Sequence, residues 1–490
     1  MARWDERRVE LLTDACAART LWYALTADAF LASTSQRALV ALLGSFELEP
    51  EAVSWMLSAG TLGPEVAWDA RLARVPPDAR LTLDRAAWRL DLRATGLQYE
   101  PRGGGRRAHL AVVRAALAAA CAVLELDLWR WPLALSGGVD SRALLAVLVK
   151  QGRRPCCITW TTRAALRSPL SDAALARIVA AHAGVEHEIV VVEPAAGEAD
   201  DVLDRFVAAS AGRTDEIAGY VDGLRLWSDL FRAGVRGVLR GDEAYGTYAM
   251  HPSTYENSRI GIGGAMVTDY PDGHLIHSLG LAAQRWPERL RPRAGEDRLR
   301  YRVRLIAQSW NANQGASLSS IKARYVELAE PHLARGVLDV ARTLRADLLT
   351  GKRAITAISR EVAPLVPTAR TPSTPSVAAF LSRPDMLGLL VRELLDPSVE
   401  RVLPGDGPRR VLAALVAPGE TGVDLGARVK RVVKAATVPL PKPLVARLKP
   451  PWKGPDPLSA RRLAFRVALA SRAVRLLEAD ASALDGAPEA

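Results

Sequence analysis

The sequence predicts an α/β protein built on a doubly wound parallel sheet, with a smaller β-containing unit before it and a mainly helical part after it. Three observations carry this. Between residues 131 and 240, short apolar runs alternate with stretches of helical period, the signature of parallel strands joined by helices. A turn of small residues, Ser136-Gly137-Gly138-Val139-Asp140-Ser141, joins the first of these runs to the first of these helices. Residues 1–98 instead contain period-two segments, and a Pro- and Gly-rich stretch separates them from the rest.

Taken in order, residues 21–32 alternate like a hairpin, residues 37–43 have helical spacing, and residues 81–92 return to period two. Residues 99–108, with Pro101, Gly103, Gly104 and Gly105, form a linker. A helix follows over residues 109–124, then the strand of residues 131–135, the small-residue turn, and a helix through Val149. Strands are predicted at residues 155–160, 188–193 and 235–240, with helices at 171–183 and 200–211 between them. Beyond residue 280 the pattern is helical with loops, so the units are residues 1–98, 109–400 and a basic helical extension over residues 401–490.

Composition narrows the class. At 490 residues and 49% apolar content the chain can bury ample core, and no run of about eighteen apolar residues predicts a membrane span. The polar N-terminus lacks an apolar signal core, and the four cysteines have no zinc or CxxC spacing; both point to the cytoplasm. The net charge of +11 is carried almost wholly by Arg, with Lys only at 150, 322 and 352 before residue 430. This is a bias of composition, and a nucleic-acid partner is not expected. The dense run from Arg428 to Lys453 reads as a solvated face.

The turn at Ser136–Ser141 carries the chemistry. A strand that ends in glycines and opens a helix leaves backbone N–H groups aimed at an anion, with the helix dipole behind them. The Gly-Lys-Ser/Thr ending of a Walker loop is missing. In a doubly wound sheet ligands sit beyond the carboxyl ends of the strands, which places Gly241-Asp242-Glu243 beside this turn.

The pattern Ser-Gly-Gly-x-Asp-Ser resembles the pyrophosphate loop of the N-type ATP pyrophosphatases (adenine nucleotide α-hydrolase-like proteins). The order of motifs across residues 130–355 resembles asparagine synthetases: Ser136–Ser141, Asp172 to Ala176 with His187, Asp242-Glu243-Ala244-Tyr245-Gly246, and Val326-Glu327 through Glu330-Pro331-His332-Leu333. Residues 12–23 resemble part of that family's glutaminase domain, so residues 1–98 would be a degenerate, truncated version of it. Residue 2 is Ala where a glutaminase carries its cysteine, which excludes glutamine-derived ammonia. β-Lactam synthetases place Tyr where this chain has Leu239, and so match less well. Arg142, Arg240-Gly241-Asp242-Glu243, Tyr325-Val326-Glu327, Leu344-Arg345 and Lys352 are most similar to lasso peptide macrolactam synthetases.

The resemblance implies ATP and Mg²⁺ as cofactors, and adenylation of an Asp or Glu side chain of a precursor peptide followed by ring closure with its N-terminal amine. A leader-binding protein and a leader peptidase would be partners. Leu135, Ser136, Gly137, Gly138, Asp140, Ser141, Arg240 and Gly241 would bind ATP and its pyrophosphate, while Thr159 and Trp160 would line the adenosine pocket. Asp140 and Asp242 would hold Mg²⁺, a hard ion that takes one or two carboxylates with phosphate oxygens. Glu327 would orient or deprotonate the amine, and Lys352 would steady phosphate charge. Asp172 and His187 are expected to set the geometry of sheet and helix. Two alternatives stay open: an amide ligase of the same superfamily acting on small molecules, and a nucleic-acid-modifying relative. The adjacent Cys156-Cys157 pair is geometrically wrong for the second.

Overall fold

The computed structural model describes residues 1–193, 199–241, 245–246, 259–371, 373–417 and 458–483. Asp242, Glu243 and the basic run from Arg428 to Lys453 lie outside the described residues.

The first unit contains two antiparallel sheets. One orders its strands β1 (Ala2–Trp4), β2 (Arg8–Leu12), β6 (Ala79–Asp84) and β7 (Arg89–Ala94); the other orders β4 (Phe30–Ser33), β3 (Trp22–Leu25) and β5 (Ala73–Arg74). The predicted hairpin is β3–β4, paired from Trp22↔Ser33 to Leu25↔Phe30. The helix Gln36–Leu43 begins where the Ser35 hydroxyl accepts from the Ala38 N–H, and it ends at Gly44 in the left-handed region.

The central sheet is parallel and five-stranded, in the order β10 (His187–Val191), β9 (Cys157–Thr161), β8 (Leu133–Ala134), β11 (Gly237–Leu239) and β12 (Glu327–Ala329). The chain starts at β8, winds outward through β9 and β10, then returns to β8's other side for β11 and β12. The direction of winding reverses between β8 and β11, and a crevice at their carboxyl ends is the position where such sheets bind ligands. β12 is too short for a periodic signal and was not anticipated as a strand.

The division into separate units softens in three dimensions. Trp22, Val40, Met56 and Trp68 of the first unit share one core with Phe206, Trp227 and Phe465. The helix Ala460–Ala481, expected within an appended extension, lies in that core, and every residue from 463 to 474 is buried. Its arginines make this possible. The Arg466 guanidinium donates to Asp215 (2.7 Å) and to the Leu57 and Ser58 carbonyls (2.8 Å each), while Arg472 pairs with Glu393 at 2.6 Å. Among the described residues, no helix is long and apolar enough to cross a membrane.

Candidate active site

The turn after β8 is held from three sides. Within it, the Ser136 N–H donates to the Ser141 hydroxyl (2.9 Å), and the Gly138 N–H to the Ser136 hydroxyl (3.1 Å). From the next helix, Asp172 accepts from the Gly137 N–H (3.0 Å) and from the Ser373 hydroxyl (3.2 Å). Burial pushes the Asp172 carboxyl above its ordinary value. Arg142, itself buried, donates to the carbonyls of Gly137 (2.8 Å), Val366 (3.0 Å) and Pro367 (2.6 Å). Asp172 therefore ties the helix Asp172–Ala183 to the turn and to Ser373.

The glycines are required by close approach. A Cβ on Gly241 would lie 2.5 Å from the Ser141 nitrogen, so the end of β11 presses directly on the first turn of the helix Val139–Lys150. A Cβ on Gly137 would meet the Ala369 Cβ at 2.6 Å. That helix has no side chain capping its N-terminus. Its first N–H groups remain available to an anion, the arrangement that loop-to-helix phosphate sites use.

Asp140 opens the helix and faces a cavity of about 450 Å³. Its Oδ2 accepts from the Lys352 ammonium at 2.9 Å, while its Oδ1 is buried without a hydrogen-bond partner among the described residues. A buried carboxylate oxygen left without a donor fits a divalent cation. Among the described residues, no three His, Cys, Asp or Glu side chains gather to hold a metal by themselves, so any ion there would need phosphate oxygens or water as further ligands. The Asp140 carbonyl accepts from His332 Nε2 (3.2 Å), so His332 Nδ1 accepts from the Tyr245 hydroxyl (3.1 Å). His332, fully buried and just past β12, stands in the Glu330–Leu333 motif of the sequence, but a histidine that positions backbone has no spacing signature from which that contact could be read.

Asp140, Arg240, Glu330 and Lys352 border the cavity from the strand side. Arg302, Ile306, Trp310, Gly315 and Lys322 border it from a long helix, and Ala18 of the first unit also reaches it. The expected residues divide accordingly. Ser136, Gly137, Gly138, Asp140, Ser141, Arg240, Gly241 and Lys352 come together at the carboxyl ends of β8 and β11. Leu135 lies behind them, buried, with its carbonyl accepting from Thr159 Oγ1 at 2.6 Å.

Three of the expected residues lie away from this cavity. Thr159 is buried and its hydroxyl is satisfied inside the sheet, by the Leu135 carbonyl and by His187 Nε2 at 2.8 Å; it does not line this cavity. Trp160 packs edge-on against Trp227 with ring centroids 5.4 Å apart, and it does not border the cavity either. Glu327 opens β12 at its amino end, exposed, and pairs with Arg19 at 2.6 Å. The strand carries the chain forward, so Glu330, directly after β12, is the carboxylate that borders the cavity. Asp242 lies outside the described residues.

No curated protein sequence matches the chain. Residues 131–364, which run from the approach to β8 through the loop, β11, β12 and Lys352, match the family model described as asparagine synthase.

Proposed function

We propose that this protein is an ATP-dependent, AMP-forming amide ligase with the sheet arrangement of the N-type ATP pyrophosphatases. The observation that carries the reading is the Asp140–Lys352 pair at the uncapped helix N-terminus, set where the winding of the sheet reverses within the asparagine synthase match. A substrate carboxylate oxygen attacks the α-phosphorus of ATP, giving an acyl adenylate and expelling pyrophosphate. The N–H groups opening the Val139–Lys150 helix, with Ser136 and Ser141, receive the pyrophosphate. Lys352 stabilises the charge that develops on it. Mg²⁺, when bound, would rest on Asp140 Oδ1, with Asp242 as a second ligand, and would supply charge neutralisation. An amine nitrogen then attacks the acyl carbon, AMP departs, and the amine proton passes to a carboxylate. We assign that role to Glu330, which borders the cavity, whereas Glu327 pairs with Arg19.

The finer reading is intramolecular: the carboxylate is an Asp or Glu side chain of a precursor peptide, and the amine is that peptide's own N-terminus. The run of residues shared with lasso peptide macrolactam synthetases supports this reading, and a leader-binding protein and a leader peptidase would work beside the enzyme. A small-molecule carboxylate and amine form the second reading, favoured by a cavity whose volume lies in the range of ordinary ligand pockets. The test is to measure AMP, pyrophosphate and peptide mass with Mg²⁺-ATP, with and without a precursor peptide bearing an Asp or Glu several residues after its N-terminal Gly. Asp140→Ala serves as the control. Peptide-dependent AMP release with loss of one water supports ring closure. AMP release driven by small carboxylates supports the second reading, and no AMP under any condition removes both.

A further inference from the structure

The helical wall of the cavity has an unusual winding. The chain runs as α-helix over Arg298–Leu305, as π-helix over Ile306–Gly315, and again as α-helix over Ala316–Lys322. At 3.6 residues per turn, Ile306 and Gly315 would be about two and a half turns apart and face opposite ways. Arg302 and Lys322, separated by about five and a half such turns, would also point apart. The i→i+5 winding takes more residues per turn and brings all four to the same cavity. π segments of this kind recur at functional sites because they redirect side chains that an α-helix would waste.

Arg302 is the anomaly on this wall. It is half-buried, it borders the cavity, and its side chain makes no hydrogen bond or ion pair among the described residues. Its Nε is buried and unpartnered. Burial holds its guanidinium below the ordinary value for arginine. By contrast Arg304, two residues on, is fully satisfied by Glu296 and by the Arg289 and Arg291 carbonyls. Arg302 thus turns the open end of its fork to the cavity beside Ile306 and Trp310, and its buried Nε lacks an acceptor unless a ligand supplies one. The planar fork matches a carboxylate in two parallel hydrogen bonds, and Trp310 and Ile306 supply an apolar wall for what that carboxylate is attached to. Phosphates are provided for elsewhere, at the helix N-terminus after β8.

We propose that Arg302 and Trp310 form a specificity subsite that receives a carboxylate attached to an aromatic or large apolar group, held apart from the carboxylate that is activated. This rests on the amide-ligase reading for its role in the reaction, but the binding it describes can be measured alone.

The experiment uses the full chain and two probes in calorimetry: 2-benzylsuccinate with succinate as its comparison, and the Mg²⁺ complex of α,β-methylene-ATP. Arg302→Met should weaken 2-benzylsuccinate at least tenfold and leave the nucleotide unchanged. Trp310→Ala should weaken 2-benzylsuccinate severalfold and leave succinate unchanged. Arg302→Met should also raise Tm in the absence of ligand, since it removes a partly desolvated guanidinium whose Nε is buried without an acceptor. The subsite is overturned if the native protein does not bind 2-benzylsuccinate, if Arg302→Met leaves that binding intact, if the loss falls on the nucleotide instead, or if Arg302→Met lowers Tm. Failure of the native protein to bind the nucleotide, with 2-benzylsuccinate binding intact and sensitive to Arg302, would sink the ligase reading and leave the subsite standing.

Discussion

The Lys352 ammonium donates to Asp140 Oδ2 at 2.9 Å from a backbone that is itself held in the left-handed region, at φ 55°, directly after Gly351 at φ 67°. A non-glycine residue in that region costs of order 1–3 kcal/mol and persists where the surroundings demand it. The turn aims one of the few lysines of an arginine-rich chain at the first turn of the helix after β8. Lys352→Met should lower AMP formation by about 10²–10³-fold, the scale for removing one preorganised charge at a developing anion. Lys352→Arg should not restore it, because the fork cannot occupy the place of a compact ammonium. Pyrophosphate release under single-turnover conditions measures both.

Gly241→Ala should disable the site without touching any side chain in it. The added Cβ would sit 2.5 Å from the Ser141 nitrogen and 2.6 Å from its Cα, which are backbone atoms that cannot swing away. The end of β11 and the helix N-terminus must separate, so nucleotide binding measured by calorimetry should weaken at least tenfold. Thermal unfolding should reveal a loss of about 1–3 kcal/mol, the ordinary cost of local overpacking.

Glu330→Gln and Glu327→Gln distinguish the two ends of β12. If Glu330 takes the amine proton, its amide variant should form the adenylate, read as pyrophosphate release, yet yield amide product about 10²-fold more slowly. Glu327→Gln should change product formation less than threefold, because its pair with Arg19 is an exposed surface contact. The reverse pattern would return the role to Glu327.

His187 links pH to stability. Burial lowers its pKa from 6.5 to about 4, and its Nδ1 is buried without a partner while Nε2 donates to Thr159 Oγ1. The unfolded chain takes up a proton near pH 6.5 that the folded chain refuses until about pH 4. Stability is therefore lost as pH falls through that window, beginning below 6.5 and complete near 4. Urea midpoints of the native protein should decline across this range, and His187→Asn should flatten the decline. An unchanged slope in the variant would show that other groups govern it.

Asp215 ties the last helix to the rest. Burial raises its pKa and the Arg466 and Arg462 guanidiniums lower it by more, leaving the carboxyl below its ordinary value. Asp215→Ala leaves Arg466 buried with only carbonyl partners, and should cost about 3–5 kcal/mol in urea unfolding. A cost below 1 kcal/mol would mean that the Asp215 contacts do not hold the helix and that its apolar packing and the Arg472–Glu393 pair suffice.

Much of the fold is written in local pattern. The β3–β4 hairpin, the helices Gln36–Leu43 and Asp172–Ala183, and the strands β9, β10 and β11 repeat periods that a single segment displays. The turn at Ser136–Ser141 is legible for a different reason: close backbone approach leaves glycine and serine few substitutes. β12 is three residues long, too short for any period, so the sequence marked the segment through Glu330 and His332 by motif alone and gave no sign of which of its side chains turn to the cavity. The π segment reads Ile-Ala-Gln-Ser-Trp-Asn-Ala-Asn-Gln-Gly, whose amides give no sign of the wider winding. Thr159 and Trp160 sit at the carboxyl half of a central strand, as anticipated, but whether a side chain there faces a ligand or a neighbour depends on what packs beside it.

By itself, then, the sequence determined the parallel, doubly wound sheet and the small-residue turn between its first strand and helix, because both follow from periodicity and from residue types that tolerate little exchange, whereas the contact between Asp140 and Lys352 came from the fold. Only the tertiary structure decided which glutamate reaches the cavity, that Arg302 faces it without a partner, and that the final helix belongs to the core. These are matters of strand register, helix winding and the packing of distant segments, and contacts between residues hundreds of positions apart leave no local period to read.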